Sequence, residues 1–389
     1  MIKPRLILKK IELYFDSPEA IIITGMRRTG KTTILNFIYE QIGSRNKIFL
    51  DLENPLNRKY FEEKNYERIK KTFEILGIDF TKRPFIFCDE IQFVRNLPSV
   101  VKYFIDHYNV KFFLTGSASF YLKNLFTESL AGRKFIFELF PLTFSEFLLF
   151  KGVNFKIPED AKDITPSVFE SIAYLYDEYI LFGGFPGVVL KTNIEEKKKA
   201  LEEIFTSFFQ LEVTQLGDFR KNEIIRDLLL LLMQRIGSRL DIQKISKELK
   251  VSRPTLNEYV SFLESTYFIK TIKPYSRGKD TEIRKMPKVY LCDTGLANHF
   301  AKLDPGSIFE NSVFQSLRLK GEVNYYQKKS GVEIDFILDK KKAYEVKLNP
   351  QESDLRRLKE LANELNLEDF VIVSKSYCEL DKIVYGFML

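Results

Sequence analysis

Apolar and polar positions along this chain follow two rhythms. Through the first 140 residues, short apolar runs at 20–24, 46–52, 83–90, 109–117 and 133–142 alternate with stretches whose apolar residues recur three and four apart, at 31–42, 57–76 and 97–108. Continuous apolar runs bounded by turn residues read as buried strands, and the 3.6-residue spacing reads as helix. Strands alternating with helices predict a parallel sheet covered on both faces. A polar, Pro-containing insertion breaks the rhythm after residue 151. Helical spacing returns at 168–181 and 194–216, interrupted by "FGGFPG". From 222 to 275 the order is helix, helix, short turn, helix, then two β-rich pieces. From 307 onward it is helix, three strands, helix, strand. Four segments result, at 1–150, 151–220, 221–280 and 281–389.

Composition narrows the class without naming an activity. The chain has 389 residues, 45% hydrophobic and 29% charged, as expected of a globular protein with more than one core. No apolar run approaches the length of a bilayer-spanning helix, and "MIKPRLILKK" turns to charge too early for a signal peptide, so no membrane partner is expected. Cys88, Cys292 and Cys378 are scattered without metal-ligand spacing, which suits a reducing, cytoplasmic compartment. The net charge of +7 is compatible with nucleic acid.

The sharpest local signal is G-x-x-x-x-G-K-[ST] at 25–32, "GMRRTGKT", set between an apolar strand and a helical pattern. Gly25 and Gly30 let successive amides curl toward an anion, and the following helix adds the positive end of its dipole. Lys31 would reach the β- and γ-phosphates of a nucleotide, and Thr32 would bind Mg²⁺, with Thr33 beside it. The arginines between the glycines would project away from the phosphate, toward acids or DNA phosphates. Asp89 and Glu90 end the strand "FIFC"; Asp89 is placed to hold Mg²⁺ and Glu90 to polarise the attacking water. In "FFLTGSAS", Thr115 or Ser117 would sense the γ-phosphate, or else cap a helix. Arg133 would reach a neighbouring subunit's phosphate as a finger, which would call for a homo-oligomer, or else pair with a local acid.

Together "GMRRTGKTT", "FCDEIQ", "LTGSAS", "LAGRKFIFELFPLTFSEFL" and "GGFPGVV" resemble the archaeal-ATPase group of prokaryotic AAA-type ATPases, relatives of the signal-transducing switch NTPases. The resemblance spans nearly the whole chain. It implies an α/β fold with a P-loop NTPase parallel sheet over 1–150 and a helical lid over 151–220. It also implies ATP and Mg²⁺ as cofactors, and an approach of Pro186, in "GGFP", to adenine; the alternative is that this segment only ends a helix. Arg27 and Arg28 match paired arginines common in that family's loop.

"DIQKISKELKVSRPTLNEYVSFLESTYFIKTIKPYS" has the layout of a helix-turn-helix followed by a wing, a winged helix over 221–280. Ile242, Ile245 and Leu249 share one face, Ser252 caps a second helix, and Arg253, Thr255 and Asn257 face outward where base edges would be met. Residues 266–290 carry seven Lys or Arg against two acids, which suits DNA phosphates. The alternative is a winged helix used only for packing. In "SGVEIDFILDKKKAYEVKLN", alternation puts Asp335 on one strand, and Glu345 with Lys347 on its neighbour. Carboxylates so placed would hold Mg²⁺ or Mn²⁺ while Lys347 steadies a nucleophile, with Glu310 completing the shell. The order of elements around them resembles the core of restriction-endonuclease-like nucleases and implies a C-terminal α/β nuclease-like domain over 281–389. That domain would be either catalytic or retained for docking DNA or protein.

Overall fold

The computed structural model describes residues 3–116, 130–216, 222–276 and 286–389, the side chains of 215 and 216 excepted. By contacts the chain divides into two units. The first comprises Met1–Phe140 with Ser265–Tyr267, and the second Pro141–Glu264 with Phe268–Leu389. The boundary expected at 150 thus falls after Phe140, and the three segments expected beyond it pack as one unit.

The first unit is built on strands β1 (Ala20–Thr24), β2 (Lys47–Asp51), β3 (Phe85–Asp89), β4 (Lys111–Gly116) and β5 (Lys134–Glu138). All neighbours pair parallel, in the order β2-β3-β4-β1-β5. Alternation along each strand feeds two cores. Ile22, Ile86, Cys88, Phe112 and Leu114 pack with Ile69, Phe73, Val101 and Phe104 on one face. Ile21, Ile23, Phe87 and Phe113 pack with Ile34, Leu35 and Ile38 on the other. This is the doubly covered parallel sheet of the P-loop NTPase fold. The single helix expected over 57–76 is two, Pro55–Lys59 and Tyr66–Ile75. The side chains of Asn54 and Asn65 each accept a backbone N–H two residues on, and so start a new helix at each place.

In the second unit, the helices Pro166–Phe182 and Ile194–Phe208 flank the short helix Pro186–Val189, and the second continues as π-helix over Phe209–Leu216. Helices Asn222–Met233, Ile242–Glu248 and Arg253–Ser265 follow, then β6 (Ile269–Ile272) paired antiparallel with β7 (Lys288–Leu291). Helix Pro305–Leu317 leads into β8 (Val323–Gln327), β9 (Glu333–Leu338) and β10 (Lys342–Lys347), an antiparallel meander. Helix Glu352–Glu364 then crosses to β11 (Asp369–Ser374), parallel to β10, with β12 (Ile383–Tyr385) at the edge. Ile334, Ile337, Ala343 and Ile372 bury one face of this sheet against Leu358, Leu361 and Leu365. Among the described residues, no helix is long and apolar enough to cross a membrane.

Candidate functional site

β1 is buried at all five positions and ends at Thr24, where the chain turns sharply. Gly25 has φ +151°, and a Cβ there would lie 2.1 Å from the Leu139 carbonyl oxygen, so only glycine fits. Arg28 (φ +63°) and Gly30 (φ +98°) complete the curl. Gly30 opens the helix Lys31–Gln41 without any side-chain cap, which leaves the first-turn amides for an incoming anion. The buried Lys31 ammonium donates to the carbonyls of Gly25 and Met26, both at 3.0 Å, and Thr29 Oγ1 donates to Met26 at 2.9 Å. Arg28, Thr32 and Thr33 are exposed and Arg27 is half-buried.

The loop has an anchor that pattern reading missed. The guanidinium of Arg5 is buried and donates to the carbonyls of Thr29 (2.9 Å) and Phe140 (2.8 Å), joining the loop to the chain beyond β5. Its partners lie 24 and 135 residues away, beyond any local signal.

Asp89 closes β3. Because β4 lies between β3 and β1, Thr115 comes up beside it, and the buried Thr115 hydroxyl donates to Asp89 Oδ1. The Thr32 hydroxyl bonds the same carboxylate, and the Glu90 amide donates to Oδ1 at 3.1 Å. Burial pushes the Asp89 carboxyl upward, against the hydroxyl contacts that lower it. One carboxylate and two hydroxyls from three elements form a hard-oxygen donor set, the kind that Mg²⁺ takes. Glu90 has φ +54°, a left-handed conformation that costs a non-glycine residue about 1–2 kcal/mol, and its carboxylate accepts a hydrogen bond from Gln92 Nε2. Arg133 takes the local option, with Nε 2.6 Å from Asp106 Oδ1. Ser117 lies outside the described residues.

In the second unit, Pro186 opens the helix Pro186–Val189. The glycines before it are shaped around another carboxylate. Asp293 caps the helix Thr294–Ala301 through Leu296 N–H (3.2 Å) and accepts Gly184 N–H at 2.7 Å. A Cβ on Gly183 (φ +76°) would stand 2.0 Å from Asp293 Oδ1, and one on Gly184 2.4 Å from the Leu142 carbonyl. Asp293 is buried, and desolvation pushes its carboxyl up to about 6 against the amides that hold it. The Asp before Thr-Gly is a local helix-start signal that pattern reading passed over; the Gly184 partner, 109 residues away, leaves no local signal.

Asp335, Glu345, Lys347 and Glu310 come together in the second unit, but each carboxylate already has a protein partner. Asp335 Oδ2 accepts the Val346 amide at 2.7 Å. Glu345 Oε1 lies 2.9 Å from Lys347 Nζ and pairs with Arg357. Glu310 Oε1 accepts from the Tyr290 hydroxyl at 2.6 Å and lies 3.6 Å from Lys288 Nζ. Burial first, then the Asp335 charge, pushes both Glu310 and Glu345 up to about 7. Among the described residues, no group of three or more His, Cys, Asp and Glu side chains is arranged to hold a metal ion. The three-carboxylate shell expected from Glu310, Asp335 and Glu345 is therefore not assembled as the side chains stand, because an amide, a phenol and three cations share these oxygens. One atom departs from that rule: Glu345 Oε2 is buried with no hydrogen-bond partner. An orphaned carboxylate oxygen among raised carboxyls is chemistry that fits a cationic ligand.

Where a helix-turn-helix was expected, the helices Ile242–Glu248 and Arg253–Ser265 follow one another across a short turn. Ser252 Oγ accepts the Thr255 amide, Leu256, Tyr259, Val260 and Leu263 are buried, and Arg253 and Asn257 are exposed, with Thr255 half-buried. The wing departs from expectation. Lys288, counted among its phosphate-binding cations, is buried and faces Glu310 and Glu333 instead. The chain after β6 also runs onto the edge of the C-terminal sheet: Tyr325 N–H donates to Lys273, and Tyr275 N–H to Tyr325. The basic residues between 277 and 285 lie outside the described residues.

A family model described as an AAA domain matches residues 17–148, which hold the loop, Asp89 and Glu90. Two further models, each described as a domain of unknown function, match residues 173–307 (DUF8612) and 305–383 (DUF4143). The uncharacterized protein MJ1544 of Methanocaldococcus jannaschii is 30% identical over 386 residues, covering 94% of this chain and 84% of its own. An uncharacterized protein of Haemophilus influenzae is 27% identical over 406 residues, covering 97% and 94%. Among solved structures, the Aeropyrum pernix ORC1 protein in complex with DNA is similar over 76% of this chain and 91% of that chain, at 15% identity and a TM-score of 0.36, too slight a likeness to carry an argument. With the AAA match falling on the unit built around the phosphate-type loop, the chain carries the AAA domain of AAA-type ATPases and belongs to the family of the Methanocaldococcus jannaschii protein MJ1544.

Proposed function

We propose that this AAA-type ATPase couples the binding and hydrolysis of ATP at the loop 25–32 to DNA binding by its second unit, with metal-dependent DNA cleavage at the C-terminal carboxylates. The observation that carries the nucleotide half is the convergence of Thr32 and Thr115 on the buried carboxylate of Asp89, next to a helix start that no side chain caps. On this reading the amides of 25–32 bind the phosphates, Lys31 neutralises the β- and γ-oxygens, and Thr32 with Asp89 holds Mg²⁺. Thr33 lies beside them on the same helix turn. Glu90 accepts the proton of the attacking water, and Thr115 fixes the Asp89 carboxylate. Mg²⁺ supplies neutralisation of phosphate charge. Pro186 is assigned to the adenine.

In the second unit, Asp335 and Glu345, with Glu310, would hold Mg²⁺ or Mn²⁺, and Lys347 would steady the nucleophile. The orphaned Glu345 Oε2 supports a cation there. A second reading has a specific observation in its favour. The chain after β6 hydrogen-bonds to the edge of the C-terminal sheet, as a packing module would, and the carboxylates carry their own cations. In that case the protein is a nucleotide switch whose second unit docks a partner and cuts nothing.

Supercoiled and linear DNA incubated with Mg²⁺ or Mn²⁺, with and without ATP, separates the two. Cleavage that is lost in Asp335→Ala supports the nuclease; absence of both cleavage and salt-sensitive DNA binding supports the switch. ATP turnover is expected to disappear in Lys31→Ala, and unchanged hydrolysis would overturn the nucleotide assignment.

A further inference from the structure

The carboxylates of Glu310, Glu333 and Asp335 act on one buried ammonium that belongs to none of their own elements. Lys288 is on β7, with its side chain 4% exposed, and Nζ stands 3.5 Å from Glu333 Oε1 and 3.6 Å from Glu310 Oε1. The Asp335 charge also acts on it. The backbone that delivers Lys288 is held on both sides. β6 pairs with it at Ile272, and the chain after the helix Asn222–Met233 runs along its other edge, with Gly237 N–H donating to Val289 at 2.9 Å and Leu240 N–H to Pro287 at 2.7 Å. Gly237 (φ +74°) also clears room for Glu310: a Cβ there would lie 3.1 Å from Glu310 Oε1. Among the described residues, the other facing groups include Tyr290, Lys347 and Arg357, which bond Glu310 and Glu345, Gln327, whose Nε2 donates to Glu333 at 3.3 Å, and the Tyr325 ring, 5.5 Å from Lys288 Nζ.

A buried lysine with two carboxylates at these distances is a counter-ion. A divalent ion entering the same oxygens would meet its charge directly. We propose that Lys288 is the resident cation of the C-terminal carboxylate cluster and competes with a divalent metal ion for it, so that the wing strand sets the metal affinity of the site. This rests on the reading of the cluster as a metal site. It accounts for the expected shell not being assembled, since the ammonium already stands beside Glu310 Oε1. The metal binds by displacing the ammonium, and no covalent bond changes.

The test uses the full chain without nucleotide and Mn²⁺ alone as probe, with affinity read by titration and by the spectrum of free Mn²⁺, and with the Mn²⁺-induced rise in melting temperature as a second readout. Asp335→Asn identifies the part of the binding that belongs to this cluster. Lys288→Met is expected to bind Mn²⁺ at this cluster at least tenfold more tightly than the unsubstituted chain, and to gain more melting temperature from it. Asp335-dependent binding that is equal or weaker in Lys288→Met overturns the proposal while leaving the metal site standing. No Asp335-dependent binding in either chain overturns both. If Lys288→Met and Lys288→Gln do not fold without metal, Mn²⁺ is expected to restore folding, because it takes over the ammonium's charge; failure of that rescue also overturns the proposal.

Discussion

The loop at 25–32 and the carboxylate cluster of the C-terminal sheet both gather charged groups at buried positions, and they balance that charge differently. Around the loop, the balancing groups are neutral dipoles. Carbonyls of Gly25 and Met26 receive the Lys31 ammonium, and the hydroxyls of Thr32 and Thr115 with the Glu90 amide receive Asp89. In the cluster, the balancing groups are mostly full charges, Lys288, Lys347 and Arg357. Dipoles fix geometry while leaving net charge for a ligand to meet, which is how a preorganised site works. Fixed counter-charges neutralise the site beforehand, and a ligand must then displace them.

Three measurements would break or sharpen that contrast. The largest effect is expected from Glu90→Gln, which keeps the shape of the loop region and removes a base: ATP turnover should fall by roughly 10²–10⁴-fold with nucleotide affinity retained. Turnover near the original level would mean that the carboxylate held by Gln92 plays no part in the chemistry.

Asp293 provides the next test, since it is a carboxylate balanced by amides alone. Its carboxyl is raised from 3.8 to about 6 by burial, so between those values the folded chain holds a proton that the unfolded chain has released. Stability from this group is therefore fully present below pH 4 and falls as the pH rises through about 6, by about 3 kcal/mol at about 1.4 kcal/mol per pKa unit. Asp293→Asn should flatten the pH 4–6 slope in urea unfolding, although the amide serves Gly184 and Leu296 less well. An unchanged slope would show that the amides hold the charge at no cost.

A smaller effect is expected at Arg5. Arg5→Ala strips a charged donor from two carbonyls and should cost about 2 kcal/mol, seen as a lower urea midpoint, with weaker nucleotide binding as the loop loses its tie to Phe140. Arg5→Lys retains the charge but not the two-pronged geometry, and should recover only part of the loss. Full recovery would make the anchor a matter of charge alone.

What could be read from the sequence follows from how local each cause is. The five strands of the first sheet were legible because each is a continuous apolar run, and the loop because its glycines, lysine and threonine are contiguous. The order helix, three strands, helix, strand after residue 307 was legible for the same reason, but the short edge strand β12 that follows was not. Asn54 and Asn65, both local caps, could have revealed the split helix but were outweighed by the charged periodicity around them. Lys288 was misread because a basic count along a wing does not say which way a side chain points, and β7 is buried at all four of its positions. The tie of Arg5 to Phe140 and the grip of Asp293 on Gly184 are contacts more than a hundred residues apart and leave no local trace.

The backbone hydrogen bonds that join Lys273 and Tyr275 with Tyr325 bear on how such proteins can be recombined. Two of the family models meet at residues 305–307, an inviting junction for chimeras between relatives. A graft made there would supply β8 from one parent and the segment that borders it from another, and would replace one partner of the Lys288–Glu310 pair without the other. The exchangeable cassette begins upstream of β6, and swaps that respect that seam should yield folded hybrids where swaps at 305 yield mismatched ones.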